Sequence, residues 1–261
     1  MIQHCWKRYW LIALLAFSSH GALAETAHWQ QPSFIEQSFL TIALGSEYNT
    51  AARVIHKWRK PVRVYVTHQV GDQALHESLL SQHIAHLKKI TQHDIALTDR
   101  ADQANVRVFF TQESRLIPLL KKYTGASTVK NERGSVCIAS FRRNAQSEIV
   151  EARIFIPVDR ARRHAKLLAC IVEEITQVLG LPRDDDAVYP SIFNDKSTDT
   201  LLTGLDDLLL RILYTPAIKP GMNEAQVKPK VRAAIQSLQQ KGMITNAALR
   251  VRSEGELYQL F

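Results

Sequence analysis

The chain has 261 residues, a formal net charge of +8 and a hydrophobic fraction of 46%. These values exclude a chain too small to bury a core, and they fit one sizeable domain with or without an appendage. Beyond the N-terminal region, no stretch is long and apolar enough for a transmembrane helix.

The first residues have the three-part pattern of a secretory signal peptide. Basic Lys7 and Arg8 precede the short apolar run "YWLIALLAF", and Ala22 and Ala24 provide the small residues of a cleavage site. We therefore predict a signal peptide at 1–24 and a periplasmic or extracellular protein; a weak membrane anchor is the alternative. Cleavage would leave a net charge of (33 − 2) − 25 = +6. A positive charge suits a partner such as an anionic envelope polymer, and export argues against nucleic acid as the partner.

The apolar periodicity then predicts strands followed by helices. Residues 25–56 are predicted to be an irregular lead-in. The predicted elements are a strand at Pro61–His68, a long early helix at Asp72–Ile90, strands at Val106–Thr111, 134–143 and 148–157, a central helix within Arg160–Gly180, a closing helix at Leu202–Tyr214, and a last helix starting near Pro229. This order predicts an α+β fold with a mixed sheet.

The central helix contains the stretch "CIVEEITQVLGL", which places polar groups beside an apolar core. Helical spacing puts Glu173 and Gln177 one turn apart on one stripe, with Gly180 one turn later. Glu174 lies about 100° round the helix. The preceding run "LLACIV" indicates deep packing, so these carboxylates should be paired, hydrogen-bonded, metal-bound or directed into a cleft. The alternative is a polar edge that reaches solvent.

Three histidines and three aspartates offer weaker candidate sites. His76, His83 and His86 lie roughly on one side of the early helix, where they could form either a metal site or a solvated polar face. The aspartates at 184–186 follow the central helix. They lack the glycine and closing glutamate of an EF-hand, so a calcium site and a polar loop both remain open.

Two cysteines, Cys137 and Cys170, remain after signal cleavage. In an oxidising compartment they can form one disulfide, and two buried free thiols are the alternative.

Several motifs together are similar to the metzincin class of zinc peptidases. The central helix and Gly180 resemble its His-Glu-x-x-His-x-x-Gly-x-x-His motif, and Phe193 stands in the place of its turn methionine. The run "LTGLDDLLLRILY" resembles the closing helix of its matrixin branch. The similarity extends in order from Trp58 to Tyr214.

A closer resemblance is to the bacterial exported family called domain of unknown function 2927. The residues that carry it are "EEITQVLGLPRD", "YPSIFND", "LTGLDDLLLRILY" and "IKPGM". The resemblance implies a zincin-like domain at 57–221 with a twisted mixed sheet, followed by a C-terminal helical extension at 222–261. It also implies that the strand region of Cys137 packs beside the central helix, which would allow a Cys137–Cys170 disulfide.

The departures from the metzincin motif argue against zinc. Its first two ligand positions hold Glu173 and Gln177, and its third falls near Arg183 or Asp184, whereas zinc sites use imidazoles or thiolates. An oxygen set would suit a hard cation such as calcium better. Glu174 alone keeps its place, that of the general base. We therefore expect no cofactor, although a hard cation is possible.

These observations support three hypotheses about function. The leading one is an exported zincin-like protein that binds a peptide or an anionic envelope polymer without zinc-dependent proteolysis. Its cleft would contain Glu173, Gln177, Arg183 and Asp184, with Glu151–Pro157 as the edge strand. The second is a hydrolase with a noncanonical site that uses Glu174 as general base. The third is a structural envelope protein.

Overall fold

The structure is a computed structural model, and it describes residues 27–45, 53–124, 128–129 and 135–260. The predicted signal peptide, residues 1–24, lies outside the described residues. Among the residues that are described, no helix combines the length and the apolar character needed to cross a membrane.

The described elements alternate between strands and helices and then become helical. The strands are β1 Lys57–Trp58, β2 Val62–His68, β3 Ile95–Leu97, β4 Val106–Thr111, β5 Ile138–Arg143 and β6 Glu148–Pro157. The helices are Pro32–Leu44, Gln73–Thr91 (the early helix), Glu113–Tyr123, Val158–Arg163, Leu167–Gln177 (the central helix), Gly204–Tyr214 (the closing helix), Glu224–Gln240 and Ala247–Glu254, with 3₁₀ turns at His28–Gln30 and Glu256–Leu260.

The strands form one mixed sheet in the order β1-β6-β4-β2-β3, and β5 pairs with β6. Pairing is parallel between β1, β6, β4, β2 and β3, and antiparallel between β5 and β6. The early helix packs against both the central and the closing helices, so the core lies between these helices and one face of the sheet. The prediction of an α+β fold with a mixed sheet is therefore confirmed.

The edge-strand assignment is wrong. The predicted edge, Glu151–Pro157, lies within β6, which pairs with β4 on one side and with β5 on the other. Within the described chain β5 pairs only with β6, so β5 is an edge strand, and β3 is another at the far end of the sheet. The apolar run of β6 fits its place inside the sheet, because strands paired on both sides are usually covered on both faces.

Two helix predictions also need correction. The lead-in is not irregular throughout, because Pro32–Leu44 forms a helix whose side chains Ile35, Phe39 and Ile42 are fully buried. The last long helix begins at Glu224 rather than near Pro229. These two helices pack against each other, which gives the lead-in helix the apolar partner that its sequence needs.

Strand β1 connects the sheet to the ends of two helices. The indole Nε1 of Trp58 donates a hydrogen bond to Val178 O (2.8 Å), just beyond the central helix. Buried Lys57 donates through Nζ to Leu213 O (2.8 Å) and Ile218 O (3.1 Å), at the end of the closing helix. Burial lowers the pKa of Lys57 to about 8. These two side chains fix the helix ends relative to the sheet.

Candidate functional site

The chain turns sharply after the central helix, at Gly180. This residue has a φ of +119°, and a Cβ built on it would lie 2.0 Å from the carbonyl oxygen of His56. Only glycine fits both the backbone angle and the close approach. The neighbouring Leu179 O accepts a hydrogen bond from the hydroxyl of Tyr214 (3.0 Å). The turn is therefore held against β1 and the closing helix, and it sets the direction of the loop that follows.

The structure contains the predicted disulfide between Cys137 and Cys170, with the Cα atoms 5.8 Å apart. Cys137 directly precedes β5, and Cys170 lies in the first turn of the central helix. The two cysteines are therefore not free thiols in the structure. The bond joins the start of the edge strand to the helix that carries the candidate site.

A cavity of about 320 Å³ lies where the central helix, the start of β5 and the following loop meet. Its lining combines carboxylates, an amide, one lysine and both half-cystines. The lining residues are Ser135, Val136, Cys137, Lys166, Ala169, Cys170, Glu173, Glu174, Gln177, Asp184 and Asp195.

Three carboxylates converge in this cavity. Oxygen atoms of Glu173, Asp184 and Asp195 lie within 4.8 Å of one another. The amide of Gln177 donates to Asp184 Oδ1 (2.9 Å), and Glu174 is 5% exposed. The cavity therefore places a buried carboxylate beside a partly exposed group of three.

The loop after Gly180 brings Asp184 and Asp195 together although they are distant in sequence. The backbone N–H of Asp185 donates to Phe193 O (2.8 Å), and the amide of Asn194 donates to Asp186 O (2.8 Å). These bonds close the loop, so its two ends meet beside the central helix.

The predicted general base and most of the predicted cleft residues line this cavity, and one cleft residue does not. Glu173, Glu174, Gln177 and Asp184 all line it. Arg183 is not among the lining residues, and its guanidinium donates to Asp185 Oδ2 (3.0 Å). The sequence analysis missed Asp195. It ends the motif "YPSIFND", but nothing local to that motif indicated that the loop would return to the helix.

Asp206 of the closing helix holds this loop in place through hydrogen bonds. Its carboxylate accepts hydrogen bonds from Ser191 Oγ (2.5 Å) and from the backbone N–H groups of Ile192 (3.2 Å) and Thr203 (2.7 Å). Burial raises the pKa of Asp206 to about 6. Asp206, one of the two adjacent aspartates of the closing helix, thus has a structural role: it fixes the loop next to the site.

The three histidines of the early helix do not form a solvated face. His76, His83 and His86 are 0%, 1% and 5% exposed. Within the described chain, the residues that could jointly hold a metal are Glu173, Asp184 and Asp195, and no histidine belongs to that group. The alternative of a solvated polar face is therefore wrong, because this side of the helix faces the core.

His83 supports the central helix directly. Its Nε2 lies 3.1 Å from the hydroxyl oxygen of Thr176, which itself donates to Val172 O (2.6 Å). Because that hydroxyl uses its proton on Val172, it accepts from a neutral His83 protonated at Nε2. Burial lowers the pKa of His83 to about 3, which keeps the ring neutral.

A family model described as "Protein of unknown function (DUF2927)" matches residues 32–233, most of the chain. The chain belongs to the DUF2927 family. The match begins at the helix Pro32–Leu44 and ends within the helix Glu224–Gln240, so it covers the first of these helices and part of the second. No curated protein matches this DUF2927 chain.

Proposed function

We propose that this protein is an exported, zincin-like binding protein that holds a peptide in the carboxylate cavity without zinc-dependent cleavage. The observation that carries the proposal is the cavity itself, where Glu173, Glu174, Gln177 and Asp184 meet beside the edge strand.

The order of the elements supports the zincin-like part of the proposal. In chain order a long early helix lies between two parallel strands, the central helix comes after the last strand, and both the central and the closing helices pack against the early helix. Glu174 occupies the general-base position of the metzincin motif, and Gly180 makes the turn that follows. The described lining contains no histidine, and its cysteines are joined in a disulfide, so its donor atoms are oxygens rather than the nitrogens and thiolates that zinc prefers.

The edge strand gives a peptide a place to bind. Among the described strands, β5 has one side without a partner, and Cys137 lines the cavity immediately before that strand. An extended peptide can add to such an edge through backbone hydrogen bonds, while pockets beside it select side chains. The cavity would therefore receive a side chain of a peptide laid along β5.

The charge of the lining favours a basic side chain. Four carboxylates and one lysine, Lys166, are among the described lining residues. An arginine or lysine of the peptide would be attracted to this site, and an anionic polymer would be repelled. We therefore assign the peptide, rather than the anionic polymer, to the cavity.

Fluorescent peptides provide a direct test. Two matched hexapeptides of alanine and valine would carry either one arginine or one glutamate, and fluorescence anisotropy would measure their affinity. We expect the arginine peptide to bind at least about tenfold more tightly, which corresponds to about 1.4 kcal/mol. Mass spectrometry should find it intact after prolonged incubation. Equal affinities would contradict the charge argument, and a cleaved peptide would favour the hydrolase hypothesis.

Replacing Glu174 should separate a binding role from a purely structural one. Glu174→Gln keeps the side-chain shape and removes the charge, so we expect at least tenfold weaker binding of the arginine peptide with an unchanged or higher melting temperature. The exposed residue Glu256 offers a matched control, because Glu256→Gln makes the same charge change far from the cavity. Loss of a few kcal/mol of stability with normal binding would instead indicate a buried structural network.

A hydrolase with a hard cation is the second candidate. The group of Glu173, Asp184 and Asp195 offers carboxylate oxygens of the kind that calcium prefers, and Glu174 lies next to it. In that case the cation would acidify water and Glu174 would accept its proton.

Chelation distinguishes the two candidates. Because we propose a site that works without metal, EDTA should change the melting temperature of the purified protein by less than about 2 °C. Elemental analysis of the same sample should find no stoichiometric zinc or calcium. A large drop on chelation, restored by calcium, would favour the cation-dependent hydrolase.

A further inference from the structure

The face of the sheet that points away from the core carries a row of polar side chains. Parallel pairing aligns Tyr65 with Arg107 and Arg107 with Arg153, and antiparallel pairing aligns Arg153 with Ser140. Residues in register on neighbouring strands point to the same face. The alternate residues, such as Val108, are buried in the core shared with the central helix. The row therefore lies on the opposite side of the sheet from that helix.

Two arginines stand side by side in this row. Arg107 and Arg153 occupy paired positions on strands that lie about 4.8 Å apart. Like charges at directly opposed positions disfavour sheet pairing, so this arrangement has a cost that a bound anion would offset.

The neighbouring carboxylates do not balance the positive charge of this face. Glu151 is shared, because it accepts hydrogen bonds from both Arg142 and Arg153. Arg63 pairs with Asp94 at 2.6 Å. Arg107 donates to the backbone carbonyl of Ala101 (3.0 Å). These residues comprise four arginines and two carboxylates, so the face is positively charged.

Arg153 also has an unused donor. Its Nε is buried and has no hydrogen-bond partner. An unsatisfied buried donor is costly, and this cost adds to that of placing two arginines side by side.

Aromatic rings lie next to both guanidinium groups. The guanidinium of Arg107 lies 6.0 Å from the ring centre of Tyr65, and that of Arg153 lies 5.9 Å from the ring centre of Tyr123. A guanidinium beside an aromatic face keeps N–H edges that can bind phosphate or carboxylate oxygens in a bidentate way.

We propose that this face, with Arg107 and Arg153 at its centre and Arg63 and Arg142 on either side, binds an anionic polymer that carries repeated phosphate or carboxylate groups. The helix Glu113–Tyr123 covers the part of this face that carries Phe109 and Phe155, while Arg107 and Arg153 stay partly exposed beside it. A single small anion at this partly exposed row would stay hydrated and weakly held. A polymer can contact several arginines at once, and each contact adds to its affinity for the surface. The central pair Arg107 and Arg153 lies on the opposite face of the sheet from the central helix, which carries the carboxylate cavity, and the two sites share only the strand β5.

The test uses two polymers and two matched variants. Inorganic polyphosphate and poly-glutamate are the anionic probes, and dextran is the neutral control. Arg107→Gln/Arg153→Gln removes the central pair, while Arg59→Gln/Arg252→Gln removes the same charge from exposed positions elsewhere. We expect the first variant to bind at least one of the anionic polymers at least tenfold more weakly and with a shallower salt dependence. The second variant should stay within about twofold of the original protein.

Three results would overturn the proposal. The original protein could fail to bind either anionic polymer, the two variants could lose affinity equally, or anionic phospholipid vesicles could bind far more tightly than both polymers. Glu174→Gln should leave polymer binding unchanged, which keeps this test separate from the peptide test.

A measurement on the unaltered protein guards against a variant that does not fold. Phenylglyoxal modifies accessible arginines, and mass spectrometry identifies which are modified. Bound polymer should protect Arg107 and Arg153 and leave Arg252 reactive. Equal protection of all three, or of none, would contradict the proposed surface.

Discussion

Removing the disulfide by Cys137→Ala/Cys170→Ala should lower the free energy of unfolding by about 3–4 kcal/mol. The bond closes a loop with a sequence separation of 33 residues, and losing this constraint gives the unfolded chain more conformational entropy. The melting temperature should fall by roughly 10 °C. Urea unfolding of the variant and of the unaltered protein, followed by circular dichroism, would measure the difference.

Reduction of the unaltered protein provides the matched comparison. A reductant should destabilise the unaltered protein by about the same amount as the double substitution and should leave the variant unaffected. The reduced protein should also bind the arginine peptide more weakly, because one wall of the cavity would lose its bond to the central helix. Two reactive thiols in unfolded, unreduced protein would contradict the assignment.

Acidification from pH 7 to pH 5 should also destabilise the fold strongly, through the buried histidines. Burial lowers the pKa of His83 to about 3, and of His76 and His86 to about 4, against about 6.5 in the unfolded chain. The unfolded state therefore binds more protons below pH 6.5, and stability falls as the pH drops toward the folded-state values. Each histidine should contribute a loss of about 2 kcal/mol between pH 7 and pH 5.

Two buried carboxylates oppose this loss. Burial raises the pKa of Asp206 to about 6 and also raises that of Asp207, so both take up protons more readily in the folded state as the pH falls. Protonation of Asp206 should offset about 1 kcal/mol of the lost free energy of unfolding by pH 5. The net loss in the free energy of unfolding is then roughly 3–5 kcal/mol. Urea unfolding at both pH values would measure it.

Single substitutions would assign the acid sensitivity to particular histidines. His83→Gln keeps an N–H donor for Thr176, and His76→Phe replaces a ring whose two nitrogens are buried without partners beside Phe110. Each variant should reduce the loss between pH 7 and pH 5 by about 2 kcal/mol. Exposed His164 is the control, and His164→Gln should leave the loss unchanged. An unchanged loss in both core variants would contradict the assignment.

The sequence alone predicted the structural features that a local pattern of residues determines. The run "LLACIV" predicted a deeply packed helix, and most residues of the central helix are buried. Gly180 was recognisable because a glycine followed by a proline ends a helix in a characteristic way. Threonine is a common residue at the start of a helix, and the hydroxyl of Thr203 at the start of the closing helix accepts from the N–H of Asp206.

The errors occurred where packing between distant segments decides the outcome. The spacing of His76, His83 and His86 identifies one side of a helix, but histidine is polar enough to suggest solvent. The sequence cannot show that Phe110, the central helix and the segment at Gly255 cover these three rings. The strand Glu151–Pro157 was recognised, but its neighbours in the sheet come from other parts of the chain. Asp195 joins the site through a loop closure of the same long-range kind.

Lys57 imposes an order on the formation of the fold. Its charged amine is buried, and its acceptors are backbone carbonyls of Leu213 and Ile218, 156 and 161 residues further along the chain. This amine has to remain in water until both carbonyls have been brought to it. Docking of the first strand at the end of the closing helix therefore closes a loop of more than 150 residues, and a contact of such high sequence separation forms slowly because its loop-closure entropy has to be overcome first.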